Sequence, residues 1–489
     1  MKKTASKDSY DIAIVGAGVI GCAVARELAR YQLKICLIDK ENDVANGTTK
    51  ANSGIIHGGY ADEPGTLRAK LCCLGNTLYS KLAQELNFGL NRIGSWVLGF
   101  SEEDQKQLQV LLDYGIKNGV SDLEIMDKTT VLAKEPNLNQ EIKSALYCPS
   151  AGVVSPYEVA IALAENAIQN GVALKLETEV SSIQKDQEGF LLKTNWGEFC
   201  SKIVINAAGL YADKLAEMVG TKNIVINPRR GQYLLFDKDA GQLVNSVIFQ
   251  VPTKISKGVL VTKTQHGNLL LGPDAMAVAQ KDDLDTEPEN LEKIILAARK
   301  TLPNFELSKV ITCFAGNRAA TKNHDFIIEE SEVSGFINVA GIESPGLTAA
   351  PAISKYVVEL IDKTSKVKLV ENPNFNPTRE DFPKITELTC EQLDQLIKRE
   401  PSYGKVICRC EEISLGEINA VFNRGIPIKS LDALKRRTRT GMGQCQGSFC
   451  TPRLIEIISK NLKVGQDKIL KGADGSFMVC GPAKEQAEH

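Results

Sequence analysis

The chain has 489 residues, 43% of them hydrophobic and 24% charged, which predicts two to four domains with ample material for a core. That composition excludes collagen-like, low-complexity and largely disordered classes. With 58 Lys+Arg against 60 Asp+Glu, the net charge of −2 gives no electrostatic ground for a nucleic-acid or membrane-surface partner. No apolar run reaches the roughly 18–20 residues of a membrane-spanning helix. The basic, polar start (MKKTASKDS) lacks the apolar core of a secretory signal, so the cytoplasm is the expected compartment.

Residues 10–40 read as a strand–helix–strand unit. Residues 10–15 (YDIAIV) form a buried strand, Gly16, Gly18 and Gly21 punctuate a turn, 22–30 continue as a helix, and 33–38 form a second strand ending at Asp39. The three glycines differ in what they permit. Gly16 allows a tight exit from the strand, Gly18 lets the backbone approach a pyrophosphate, and Gly21 lets helix pack on strand. The helix N-terminus favours phosphate charge, and Asp39 is placed to accept from a ribose hydroxyl. These residues define a dinucleotide site without deciding between FAD and NAD.

Further along, 101–119 has the spacing of a solvated helix and 202–207 (KIVINA) that of a buried strand. Segments 231–236, 247–251, 258–263 and 268–271 alternate as strands of an antiparallel sheet. Residues 334–340 form one more strand, and 351–360 a helix with Pro351 in its first turn. Residues 366–400, with three prolines among asparagines, read as a linker closing on an acidic helix near 387–400.

Thirteen cysteines divide unequally. Nine are scattered and read as small buried hydrophobes or loop residues, Cys480 among them in a structural or disordered tail. Cys408, Cys410, Cys445 and Cys450 form C-x-C…C-x4-C, two thiol pairs that suit zinc or an iron–sulfur cluster. The one-residue spacer argues against structural zinc. The small residues of Gly441–Gln444 offer amides to cluster sulfurs, and the basic run 435–439 (KRRTR) is available to tune a cluster or to dock an acidic partner.

Residues 46–60 (NGTTKANSGIIHGGY) and 64–72 (PGTLRAKLC) resemble the flavin-contacting segment of FAD-dependent oxidoreductases related to D-amino-acid oxidase. Within that superfamily they are most similar to the anaerobic-type glycerol-3-phosphate dehydrogenases and to the L-2-hydroxyglutarate dehydrogenases. Segments 206–213, 228–233, 267–273 and 341–348 follow in the family's order. The module at 401–465 resembles the [2Fe–2S]-binding domain of bacterioferritin-associated ferredoxin.

The resemblance implies an α/β fold in which a glutathione-reductase-type FAD domain (8–85, 150–225, 330–362) is interleaved with an antiparallel-sheet substrate domain (86–149, 226–329), all within 8–365. A small, mainly helical cysteine module (401–465) follows the linker, and 466–489 form a tail. FAD would contact Gly16, Gly18, Gly21, Asp39, Lys40, Thr48, Asn52, Ser53, Gly54, Val180, Ala208, Gly209, Gly341, Gly346, Leu347 and Thr348. Arg230, Tyr233 and Arg318 would bind a small anionic substrate, with His57, His266 and Arg318 as the chemical residues. Cys408, Cys410, Cys445 and Cys450 would hold a [2Fe–2S] cluster. The implied activity is oxidation of sn-glycerol 3-phosphate to dihydroxyacetone phosphate, with electrons leaving through the cluster to a redox partner protein, which could hold the chain peripherally at a membrane. Two alternatives stand beside it: a 2-hydroxy-acid dehydrogenase, and a non-catalytic electron-transfer subunit.

Overall fold

A computed structural model describes residues 8–252 and 258–481. At its centre is an eight-stranded sheet. Strand Asp8–Val15 pairs in parallel with Ile35–Ile38 on one side and Gly197–Asn206 on the other. Ile35–Ile38 continues in parallel to Ala173–Lys175. The far edge of Gly197–Asn206 is shared: Phe190–Thr194 pairs with its first half and Phe336–Ala340 with its second. Helices Val19–Leu28, Leu67–Leu86, Pro156–Gln169 and Gly346–Thr364 contribute to one core with this sheet. The opposite face buries Tyr10, Ala13, Cys36 and Val204 in a second cluster, so the central strands are apolar almost throughout.

The second sheet has nine strands and is built largely from Ser95–Gly99, Ser144–Cys148 and the strands between Asn227 and Ala320. Its longest pairing is antiparallel, Asn227–Phe236 against Val310–Ala320. The strands expected to be antiparallel to one another are so, with one parallel pairing added at Ser95–Gly99. Val247–Gln250 pairs antiparallel with Leu260–Lys263 but parallel with Ser95–Gly99, so the sheet is mixed. Helix Glu102–Lys117 opens on a capping box formed by Ser101 and Asp104.

Pro351 is also misplaced by the sequence pattern. The helix begins at Gly346, so the proline sits in its interior. Proline cannot donate to the carbonyl four residues back. That carbonyl, on Leu347, instead accepts from the buried Tyr79 hydroxyl at 2.6 Å, which preserves its hydrogen bonding.

The segment following 366 is strapped to the first domain. Gln32 N donates to Val370 O (2.8 Å), Asn372 N to Arg30 O (2.7 Å), and Arg379 pairs with Glu165 (2.6 Å). Helix Cys390–Arg399 then leads into the module, whose helices Leu415–Val421, Leu431–Thr438 and Thr451–Leu462 bury Ile418, Leu434 and Ile458. Residues beyond 465 pack against this core. Ile469 joins this core, and Leu431 N and Asp432 N donate to Leu470 O and Lys471 O. Cys480 is exposed. Among the described residues, no helix is long and apolar enough to cross a membrane.

Candidate active site and cysteine centre

A cavity of about 580 Å³ runs from the glycine turn to the second sheet. Gly16 has a φ of +110°, and a Cβ there would lie 2.3 Å from Ala207 O. A Cβ on Gly21 would lie 1.8 Å from Gly16 O, so helix and strand can approach only with glycine at both positions. Gly18 lines the cavity, while Gly21 serves packing. Val19 N donates to Thr49 Oγ1 (3.0 Å), which closes the turn against the next segment.

Asp39 faces the cavity while accepting from Ala17 N (2.6 Å) and Glu41 N (2.9 Å). Burial outweighs both amides and pushes its carboxyl up to about 6. Lys40 lies over the Tyr211 ring, 3.9 Å from the centroid. Lys40, Thr48, Asn52, Ser53, Ala208, Gly209, Gly346 and Leu347 also line the wall. Gly54, Gly341 and Thr348 stand behind it; Thr348 Oγ1 accepts from His57 N (3.0 Å) and donates to Ile55 O (3.2 Å). Val180 is not part of the wall: its side chain packs in the core among Tyr10 and Phe199.

At the other end, alternation along Asn227–Phe236 decides which side chains face the cavity. Arg229 and Tyr233 do, together with Arg318 from the neighbouring strand. Arg230 points the other way, is 2% exposed and is bound by Asp283 (2.6 Å) and Glu287, so it does not belong to the substrate wall. Tyr233 stacks on Phe314 (4.8 Å) with its hydroxyl against Ser53 and Arg318. Arg318 Nη2 donates to Asp274 O at 3.3 Å. His57 lines the cavity between Phe249, whose ring centroid is 6.0 Å away, and Ser344, whose Oγ is 3.4 Å from Nε2.

His266 also lies off the cavity wall. Its Nε2 is 2.7 Å from Glu158 Oε1, tying the second sheet to helix Pro156–Gln169 outside the cavity. Sequence reasoning assigned no role to Arg68, Asp274 or Glu343, all of which line the wall. Arg68 joins Asp62 (2.8 Å) to Ser344 O (2.7 Å), and Glu343 holds His324 Nδ1 at 2.6 Å. Arg68 and Glu343 lie in segments that carry the family resemblance, and Arg229 sits two two-residue steps from Tyr233 on the same strand.

The four cysteines meet as two pairs, Cys408 with Cys450 and Cys410 with Cys445. The Cys450 thiol draws Cys408 down to about 6 and is itself pushed up. Backbone amides of Gly441 and Glu411 reach Cys408, and those of Phe449 and Gly447 reach Cys445. Gly443 packs on Cys410 so closely that a Cβ would lie 2.4 Å from the cysteine's own. Among the described residues, no three His, Cys, Asp or Glu side chains are arranged around one metal ion. Two thiol pairs ringed by amides fit a binuclear iron–sulfur cluster, which shares four thiolates between two irons.

Three of the four cations in the basic run 435–439 are paired inside the protein. Arg436 and Arg437 pair with Asp43 (2.6 and 2.7 Å), and Arg439 with Glu411 (2.8 Å).

A nucleotide turn on a parallel sheet, a cavity reaching an arginine-bearing second sheet and a fused thiol quartet define a two-domain flavin-type oxidoreductase with an electron-transfer module. Residues 11–360 match the FAD dependent oxidoreductase family and 406–460 the BFD-like [2Fe-2S] binding domain; the chain belongs to that oxidoreductase family. It is similar to glycerol 3-phosphate dehydrogenase of Caloramator mitchellensis, 49% identical and covering 98% of this chain and 100% of that protein. Human mitochondrial L-2-hydroxyglutarate dehydrogenase is 32% identical, over 74% of this chain and 90% of the relative. Among solved structures, L-alpha-glycerophosphate oxidase of Mycoplasma pneumoniae with FAD bound has a TM-score of 0.73 at 35% identity, covering 77% of this chain and all of that one.

Proposed function

We propose that the protein oxidises sn-glycerol 3-phosphate to dihydroxyacetone phosphate and hands the electrons, through a [2Fe–2S] cluster, to a separate acceptor protein. The observation that carries this is the 49% identity to a glycerol 3-phosphate dehydrogenase across 98% of the chain, a span that includes the cysteine module. The hydroxyglutarate dehydrogenase aligns with only 74%.

When bound, FAD supplies a two-electron hydride acceptor and the cluster a one-electron one. The Gly16–Gly21 turn and the N-terminus of helix Val19–Leu28 hold the pyrophosphate, and Asp39 accepts from the ribose. Thr48, Asn52, Ser53, Gly346 and Leu347 line the same cavity and would surround the flavin ring. Arg318 binds the substrate's phosphate through its guanidinium fork, with Arg229 and Tyr233 on the same wall. His57 Nε2 takes the proton from the carbinol hydroxyl, and Phe249 and Ser344 hold its ring in place. Cys408, Cys410, Cys445 and Cys450 hold the cluster.

Anaerobic bleaching of the bound flavin tests the reading. Glycerol 3-phosphate should bleach it and L-2-hydroxyglutarate should not. Bleaching by the hydroxy acid alone would transfer the assignment to that class, and bleaching by neither would favour an electron relay.

A further inference from the structure

Arg436 and Arg437 lie on helix Leu431–Thr438 and converge on Asp43, which is wholly buried almost four hundred residues earlier. Arg437 grips both carboxylate oxygens (2.7 and 2.9 Å), and Arg436 takes one of them at 2.6 Å. Beside them, Asn42 Nδ2 donates to Gly472 O of the module at 2.6 Å. Two guanidiniums hold the Asp43 carboxyl below the usual range against the opposing effect of burial.

Asp43 stands in the middle of segment 39–50, and that segment supplies Asp39, Lys40, Glu41, Gly47, Thr48 and Thr49 to the cavity. The segment is tied to itself: Asn46 donates to Glu41 (2.8 Å) and accepts from Lys50 (2.7 Å). A displacement at its centre is therefore passed to both ends. The other side of the contact is equally direct. Helix Leu431–Thr438 runs through Arg439 into Gly441, whose amide reaches the Cys408 sulfur.

We propose that Asp43, Arg436 and Arg437 form a buried lock that makes retention of FAD depend on the seating of the cysteine module. The proposal rests on the FAD reading above. A buried carboxylate stripped of its cations is strongly unfavourable, so an unlocked segment must swing out to hydrate Asp43 and would draw Asp39 and Thr48 off the nucleotide. The coupling is reciprocal, so bound FAD should also tighten the module's seating.

The test uses the full-length holoprotein with Arg437→Gln and Arg437→Lys, and Asp43→Asn approaching the contact from its other side. FAD release on dilution is followed by recovered flavin fluorescence, alongside hydrogen exchange of 39–50 and 431–441. The glutamine and asparagine variants should raise the FAD dissociation constant tenfold or more and speed exchange in both segments. The lysine variant, keeping the charge but losing the fork, should fall between. Iron content should stay unchanged. FAD affinity within twofold of wild type overturns the lock, even where exchange rises in 431–441 alone. Should the neutral variants fail to fold, Arg437→Lys decides by the same criterion. Wild-type protein that carries no FAD would instead sink the cofactor assignment.

Discussion

Asp39 gives the sharpest test of the nucleotide site. Its carboxyl is held at about 6 against a reference of 3.8, because burial outweighs the amides of Ala17 and Glu41. The folded apoprotein thus keeps this proton up to about pH 6, whereas the unfolded chain releases it near pH 4. Over that window the folded state binds more protons, so stability falls as pH rises and levels off above about pH 7. The whole effect is on the order of 3 kcal/mol, of which about 1 kcal/mol falls between pH 5 and 7. Asp39→Asn cannot titrate, and its lost amide bond is a constant offset that leaves the slope untouched. Chemical unfolding of apoprotein at pH 5, 6 and 7 should show wild type losing that amount relative to the variant. FAD bonded to the carboxylate favours the ionised form, so wild-type FAD affinity should rise with pH up to about 6 and then flatten. The variant should bind FAD about 10–100-fold more weakly. A wild-type-minus-variant difference that stays constant with pH would refute the burial argument.

Arg318→Lys should raise the KM for glycerol 3-phosphate by roughly tenfold or more with FAD content unchanged, because lysine keeps the charge without the bidentate fork; steady-state kinetics beside the flavin spectrum checks this. Substituting serine for any one of Cys408, Cys410, Cys445 or Cys450 should abolish acid-labile sulfide and iron while substrate still bleaches the flavin. One zinc per chain and no iron, in protein prepared without oxygen, would make the module structural. Tyr79→Phe should cost about 0.5–1.5 kcal/mol in denaturant unfolding, since it removes the donor to the Leu347 carbonyl that Pro351 cannot serve; an unchanged midpoint would show that another donor reaches it.

The sequence disclosed most where chemistry is local. The glycine turn, its flanking strands and Asp39 all lie between residues 8 and 39, and their spacing carries the backbone geometry with it. The two short cysteine motifs were legible for the same reason, whereas the pairing of Cys408 with Cys450 and of Cys410 with Cys445 across the intervening residues was not. Val180 and His266 were not, because what decides their roles lies far off in sequence: Val180 belongs to a core closed by Tyr10 and Phe199, and His266 to Glu158. Arg230 is an intermediate case. Alternation from Tyr233 assigns Arg229 to the cavity and Arg230 to the opposite face, but only once the segment is known to be a continuous strand. The parallel pairing of Val247–Gln250 with Ser95–Gly99 had no local signal at all.

The basic run shows how a correct count supports a wrong inference. Five residues with four cations read as an outward-facing patch, because sequence lists charges without their complements. Asp43 and Glu411, which neutralise three of them, look like ordinary surface acids when read alone. Placed together they are desolvated, and a desolvated charge network acts through geometry where a surface patch acts through attraction. Three of the run's four cations are therefore taken up inside the protein, and adding salt should leave the contact between module and flavin domain largely intact. The exposed approach to the thiols lies on the other side of the quartet, where Cys410 and Phe449 reach solvent while Cys408 and Cys450 are buried. Arg436, Arg437 and Arg439 thus seat the module, whereas Arg409, exposed beside Cys410, stands on the solvent side of the quartet.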